Sequence, residues 1–374
     1  STVISPSKSY SNHGIYHIKL VAISNHFCTD SITDSVQVYQ QPTADFRILK
    51  IDSCLRDNLF DFVNQSSVAS DSLFYQWSFG DGNVGTDTSY FDYTYSADRV
   101  YQIQLIASTN NQCADTIIRS NIVYPMPIAN VSVNDSIQCL TGNAFAFNNS
   151  STISSGSLTH FYDLDDGFTS TSPTPAVTYS SIGTKNILYR VTSNIGCTDS
   201  VLTQVVTLAS PTADFNIDSL EVCLDFNAFN FNNSSSLSVG NYASNWTLSD
   251  GHTSTLDSIV NYSFNTSGVF EVRLIVISDN SLACSDTLTR QVTILTHPSA
   301  DFAVNDSIQC LLNNQFQFTP TNNTLDSYQW SFGDGIGDTQ AITTHAYTST
   351  GSYDVKLVAG LHNRCFDSTT KIMR

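Results

Sequence analysis

The chain has 374 residues, of which 13% are charged, and its net charge is −18. Nearly all of the acid is aspartate, with glutamate only at Glu221 and Glu271. Such a surface repels nucleic acid and anionic membranes, which excludes both as partners, and no apolar run approaches membrane-spanning length.

Few Glu and Lys beside many Thr, Val, Tyr and Phe disfavour helix and favour strand. Residues 1–41 read as the back half of a repeat: Tyr10, Tyr16, Ile18, Leu20 and Cys28 match the second half of each later copy. The chain is therefore expected to begin inside a domain and to be a fragment of a longer array. A preceding part of the same polypeptide is expected to supply the missing strands, with donation by another subunit as the alternative. Full repeats open at Pro42, Pro127, Pro211 and Pro298, about 85 residues apart, which is enough for each to bury its own core. The expected boundaries are 42–126, 127–210, 211–297 and 298–374.

Each repeat runs through the same events. A short strand (Ala44 to Leu49 in the first) leads to a polar turn holding Cys54, Cys139, Cys223 or Cys310. An aromatic strand follows, such as Phe60-Asp61-Phe62 or Phe316-Gln317-Phe318. Then comes Tyr75-Gln76-Trp77-Ser78-Phe79-Gly80-Asp81-Gly82, which returns as Tyr328-Gln329-Trp330-Ser331-Phe332-Gly333-Asp334-Gly335. Period-two alternation buries one face, and the Asp-Gly pair supplies a turn-capping side chain and a residue free to take positive φ. Degraded copies carry Tyr162 and Asp165, or Trp246, Leu248, Ser249 and Asp250. A variable stretch ends at Tyr95, Tyr179, Phe264 or Tyr347. A long strand, a turn with a second cysteine (Cys113, Cys197, Cys284, Cys365) and a last strand complete the unit. Seven short strands at this spacing predict an all-β chain of tandem seven-stranded Ig-like sandwiches placed end to end.

The run Trp77-Ser78-Phe79-Gly80-Asp81-Gly82, with Tyr95 and Tyr101 downstream, resembles the polycystic-kidney-disease (PKD) domain. The fourth repeat adds His345-Ala346-Tyr347 and Gly351-Ser352-Tyr353-Asp354-Val355. The second repeat departs with Tyr162 and Asp165, the third with Leu248-Ser249, which leaves their turn geometry open. The cysteine placement resembles PKD arrays of large Bacteroidota surface proteins, including type IX secretion cargo and gliding-motility adhesins. The resemblance implies stalks and spacers, some binding polysaccharide or protein weakly, and no catalysis.

Nine cysteines at regular positions in a chain of that class imply a disulfide framework. In a seven-stranded sandwich the first-turn and last-turn cysteines lie at opposite ends, roughly 25 Å apart, beyond the Cα separation a disulfide tolerates. End-to-end packing instead brings the first-turn cysteine of one repeat to the last-turn cysteine of the next. That gives Cys54–Cys197, Cys139–Cys284 and Cys223–Cys365, with Cys28, Cys113 and Cys310 pairing outside the fragment. Pairing within a repeat, Cys54–Cys113, stays open if the first strand is bent.

Triplets of the form Asp-(Ser/Thr)-(apolar or Thr) place hydroxyls at Ser31, Ser35, Ser72, Thr116, Ser136, Ser200, Ser219, Ser258, Thr287, Ser307 and Ser368. They resemble the O-glycan acceptor motif of Bacteroidota secreted proteins, and turn capping explains them equally well. Asn-x-Ser/Thr triplets at Asn64, Asn130, Asn245 and Asn261 arise readily by chance in so Asn-rich and Ser-rich a chain. No hydrolase, metalloprotease or phosphate-loop motif is present, so an enzyme is not expected. Asp81, Asp166, Asp250 and Asp334 suggest turn caps, with calcium as the alternative. Trp77, Trp246 and Trp330 are expected in cores, with Gly82 and Gly335 in the turns, leaving Tyr90, Phe91 and Tyr93 as the candidate exposed contact. The expected function is a stiff extracellular stalk of a cell-surface adhesin or filament, partnered by neighbouring repeats and by surface polysaccharide or substratum. The alternatives are polysaccharide-binding modules of a secreted hydrolase and the subunit of a homopolymeric filament.

Overall fold

The computed structural model describes residues 1–86 and 90–374, with Tyr90 described by its backbone alone. The chain divides into two compact units, each described by itself: 1–136 with 145–177 and 185–205, and 137–144 with 178–184 and 206–374. Among the described residues the structure is β throughout, apart from one 3-10 turn at Leu224–Phe226.

The first unit begins with a hairpin of β1 (Gly14–Ile23) and β2 (Thr29–Val38), paired over ten rungs from Gly14↔Val38 to Ile23↔Thr29. Ile18, Leu20, Ile32 and Val36 on it are exposed. The equivalent positions of the next repeat include buried Ile103 and Leu105.

That next repeat holds β3 (Phe46–Ile48), β4 (Asp52–Cys54), β5 (Phe60–Asn64), β6 (Leu73–Ser78), β7 (Val84–Gly85), β8 (Tyr90–Tyr93), β9 (Val100–Thr109) and β10 (Ala114–Tyr124). They form a three-stranded sheet, β3-β5-β8, facing a five-stranded one, β4-β10-β9-β6-β7. Alternation decides what faces inward. Phe60 and Phe62 on β5, Trp77 on β6, and Tyr101, Ile103 and Leu105 on β9 meet in one core with Phe46, Phe79 and Tyr95.

The sandwich follows the predicted class, with one difference in its first strand. That strand breaks after Ile48, and the chain crosses to the other sheet, where β4 pairs in parallel with β10 at Tyr124↔Cys54. The cysteine thus ends a second short strand rather than sitting in a polar turn. The break has a local cause: Leu49, Lys50 and Ile51 are all exposed, so the inward alternation of Phe46 and Ile48 is not continued. The same crossing recurs at Ile137–Cys139 and Glu221–Cys223. The fourth repeat has a four-stranded second sheet without it.

In the second unit, Phe215, Phe229, Phe231 and Trp246 pack with Leu248, Val272 and Leu274, and Phe302, Phe316, Phe318 and Trp330 with Phe332, Val355 and Leu357. The second repeat has no tryptophan; Tyr162 stands in that place, fully buried and stacked on Tyr189 at 4.3 Å.

Candidate functional site at the joints between repeats

Each crossing strand delivers its cysteine to the last turn of the following repeat. Cys54 is bonded to Cys197, Cys139 to Cys284 and Cys223 to Cys365, with Cα separations of 5.6, 5.7 and 5.5 Å. Each bridge lies inside one compact unit. Cys113 is half-buried, Cys28 and Cys310 are exposed, and none of the three is bonded. No cysteine is bonded within its own repeat, because Cys54 lies beside the end of β10 whereas Cys113 lies where β10 begins.

Polar contacts surround each bridge. At the first, Arg56 Nη2 donates to Asp199 Oδ1 at 3.1 Å. At the second, the Thr141 N–H donates to Ser210 Oγ (2.9 Å), and Asn280 Nδ2 to the Ala209 carbonyl (2.9 Å). At the third, His362 Nδ1 lies 2.7 Å from Glu221 Oε1, Arg364 Nη1 donates to the Glu221 carbonyl, and His297 pairs with Asp225.

A latch recurs that the sequence reading missed. Two residues after each last-turn cysteine, an aspartate accepts the backbone N–H of the alanine in the Pro-x-Ala opening: Asp115 from Ala44, Asp199 from Ala129, Asp286 from Ala213 and Asp367 from Ala300, at 2.8–2.9 Å. The pairing of a constant Cys-x-Asp with a constant Pro-x-Ala was the available signal. The Ala129 N–H, against the opposing effect of burial and with help from Arg56, holds the Asp199 carboxyl below its ordinary value; the Ala300 N–H does the same for Asp367.

A second missed residue is an asparagine before each aromatic strand. Asn58 Nδ2 donates to the Leu55 and Tyr95 carbonyls, and its Oδ1 accepts the Tyr95 N–H at 2.7 Å. Asn143, Asn227 and Asn314 repeat the arrangement. An amide that is buried in the first three repeats and half-buried in the fourth thereby satisfies backbone groups that no strand pairs.

The Asp-Gly turns are closed by their own carboxylates. Oδ1 of Asp81, Asp250 and Asp334 accepts the N–H two residues on, from Asn83, His252 and Ile336. The other oxygen reaches the strand of the facing sheet: Tyr93 Oη donates to Asp81 and Tyr262 Oη to Asp250, both at 2.6 Å, and His345 Nε2 lies 2.8 Å from Asp334. In the second repeat Lys185 Nζ pairs with Asp166 at 2.6 Å. Burial opposes ionisation of Asp81 and Asp334, but hydrogen bonds outweigh it and lower both pKa values. Among the described residues no three His, Cys, Asp or Glu side chains converge into a metal-binding group. Gly82 and Gly335 take positive φ in open space, whereas a Cβ at Gly80 or Gly333 would sit 2.8 Å from the backbone of Gln102 or Asp354. Asp165 occupies the same place at φ 66° and accepts the Asn186 N–H, and Ser249 avoids positive φ by bonding Glu271.

These bonds imply acid sensitivity. Asp81, Asp199, Asp334 and Asp367 all titrate below their ordinary value of 3.8 when folded. The stability they contribute is whole above the unfolded pKa and is lost as pH falls through the folded one. Thermal midpoints should hold between pH 7 and about 5 and drop steadily below about 4. A midpoint that rises on acidification would contradict this.

The candidate exposed contact is corrected. Phe91 stacks on Phe62 and meets Trp77 edge-on at 5.1 Å, and Tyr93 stacks on Phe79 at 4.1 Å. Both lie on β8, whose alternate residues face the core; the Tyr90 side chain lies outside the described residues. Trp77, Trp246 and Trp330 are at most 1% exposed. Of the hydroxyl candidates, Ser31, Ser35, Ser72, Thr116, Ser136, Ser200, Thr287, Ser307 and Ser368 are exposed. Ser219 and Ser258 are half-buried and bonded, to the Glu221 carbonyl and the Asn233 N–H, which makes them the poorest acceptors.

The PKD domain family matches residues 39–123, 208–294 and 296–373. The second repeat, with Tyr162 and Asp165 in its motif, falls outside those spans. No curated protein matches the chain. Among solved structures, the PKD1 domain of Vibrio anguillarum Epp is 22% identical over 22% of this chain and 94% of its own, with a TM-score of 0.20. Three N-terminal domains of the bacteriophage RB49 outer capsid protein Hoc are 10% identical over 69% and 99%, TM-score 0.32. A Ca2+-stabilised adhesin by which an Antarctic bacterium binds ice is 13% identical over 90% and 98%, TM-score 0.29.

Proposed function

The chain belongs to the PKD domain family, and we propose that it is a segment of an extracellular stalk whose consecutive repeats are covalently coupled to resist bending and pulling. The observation that carries this reading is the recurrence of one bridge, first-turn cysteine to next last-turn cysteine, three times over. A single bridge holds a loop, whereas the same bridge at successive joints couples each repeat to the next. The aspartate latch ties each bridged last turn to the opening segment of its own repeat, and the polar contacts that cross each joint add orientation to the covalent link. Three disulfides suit an oxidising compartment outside the cytosol. Membership of a Bacteroidota surface adhesin, with type IX secretion and gliding, is the finer form of the proposal and rests on the likeness of cysteine placement. The expected hydroxyl sites would add a sugar coat, and polysaccharide or substratum would be the partner of the parent protein rather than of these repeats.

The polysaccharide-binding reading requires a platform of aromatic rings presented to solvent; the tryptophans and Phe91 are spent on cores, and the exposed rings of Phe27, Tyr39, Phe74, Phe168, Phe226 and Phe366 fall at different places in their repeats, so they make no recurring platform. Solution scattering tests the stalk. The oxidised chain should give an extended particle of roughly 160–180 Å, taking about 35–40 Å per repeat. Reduction should broaden its distance distribution. A particle much shorter than this, or firm retention of the chain on polysaccharide gels, would overturn the reading.

A further inference from the structure

The three bridges interlock. Cys139 lies inside the loop closed by Cys54–Cys197, and Cys223 inside the loop closed by Cys139–Cys284. We propose that the bridges make the chain a strain-limited tether, in which the outer two shield most of every full repeat from tension even after it unfolds and the overlapping middle one stands in reserve. The inference rests on the stalk reading, since only a segment under load has use for it.

The load route follows from connectivity. The shortest covalent path from Ser1 to Arg374 runs from Ser1 to Cys54, crosses to Cys197, continues to Cys223, crosses to Cys365 and ends at Arg374. Its stretches of 54, 27 and 10 residues amount to about 91 residues, in place of the 374 of the open chain. At roughly 3.3–3.6 Å per residue, the fully unfolded chain reaches about 31 nm instead of about 130 nm.

Residues 55–196 and 224–364 lie off this path. They include the strands carrying Trp77, Trp246 and Trp330. In the second repeat, tension falls on the last strand, Thr198–Leu208; in the third, on Phe215–Ile217 and Glu221–Cys223. A full repeat that gives way therefore puts only about 10–14 residues under tension, roughly 3–5 nm of extended chain, which is little more than the folded repeat already spanned. It also refolds with its ends already close, which lowers the loop-closure entropy to be recovered.

The middle bridge has a different part. It is off the shortest path while the outer two are intact. Without Cys54–Cys197, the shortest path runs to Cys139, crosses to Cys284, returns to Cys223 and crosses to Cys365, about 211 residues or 73 nm. Cys139–Cys284 is thus a reserve that takes load when an outer bridge is lost.

Single-molecule pulling on the full chain, held at its two termini, tests this. The oxidised chain should stop extending near 31 nm, and reductant should release it to about 130 nm, with a step near 25 nm for the unfolding of each full repeat. Cys54→Ser with Cys197→Ser should move the oxidised limit to about 73 nm, whereas Cys139→Ser with Cys284→Ser should leave it near 31 nm. An oxidised wild-type chain reaching 130 nm, or a middle-bridge variant that lengthens as much as the outer-bridge variant, overturns the proposal whatever scattering says of the stalk.

Discussion

Replacing Trp330 by alanine should remove about 3–5 kcal/mol from the fourth repeat, the range for a large aromatic side chain cut from a core. The indole is 1% exposed. It meets Phe302 edge-on at 5.0 Å and Phe318 at 5.7 Å, and its Nε1–H donates to the Gln340 carbonyl at 2.9 Å. The loss thus has two parts, a cavity between the sheets and a hydrogen bond surrendered at the edge hairpin. Trp330→Phe should recover much of the first and none of the second. Domains of this size hold only about 5–15 kcal/mol, so the fourth repeat should melt early. Trp77 and Trp246 remain as fluorescent reporters of the first and third repeats. In urea their transitions should stay near the wild-type midpoint while circular dichroism shows an added early one. A single unshifted transition would mean that the indole is not the centre of that core.

Removing the Cys54–Cys197 bridge, with both cysteines replaced by alanine, should cost about 4–5 kcal/mol in the chain-entropy account, given a loop of 143 residues. The effect should appear as lost coupling rather than as a weakened core, since Cys54 and Cys197 lie outside the aromatic cluster of the first repeat. The Arg56–Asp199 pair at the same joint is solvent-exposed and worth little alone. The thermal transition should therefore fall and split, with the first and second repeats unfolding separately. Peptide mapping of the unreduced wild type should recover residues around Cys54 linked to those around Cys197. Recovery of a Cys54–Cys113 link would refute both the bridge and the predicted split.

Much of the fold was legible in the chain because its signals are local. Phe60-Asp61-Phe62 alternates at the period of a strand, so inner and outer faces follow without knowledge of any partner. The same holds for Trp77 and for the Asp81 turn, whose cap spans two residues. Likeness to the later copies also marks residues 1–41 as a half-repeat, and the structure places a hairpin there. The break in the first strand was not legible, because the crossing to a second sheet leaves only a lapse in alternation at Leu49–Ile51. The Phe91 and Tyr93 contact was misread for a similar reason: the stretch varies between repeats, and variability suggested surface. Yet the strand it forms closes the three-stranded sheet, and a strand in that place turns every second residue inward.

By itself, then, the sequence determined the repeat, its length, its all-β class and the burial of its tryptophans. Each of these depends on residues within a few positions of one another or on one copy resembling the next. End-to-end order favoured Cys54–Cys197, Cys139–Cys284 and Cys223–Cys365 but left pairing within a repeat open; the tertiary structure decided that choice, and it alone shows which carboxylate latches which alanine. Cys54 has Cys113 nearer in sequence and Cys197 nearer in space. The choice depends on β4 crossing to lie along β10, which carries Cys54 to the end of the repeat away from its own last turn. Contacts made across some 70 to 145 residues are set by how whole sheets pack, and no local pattern encodes that.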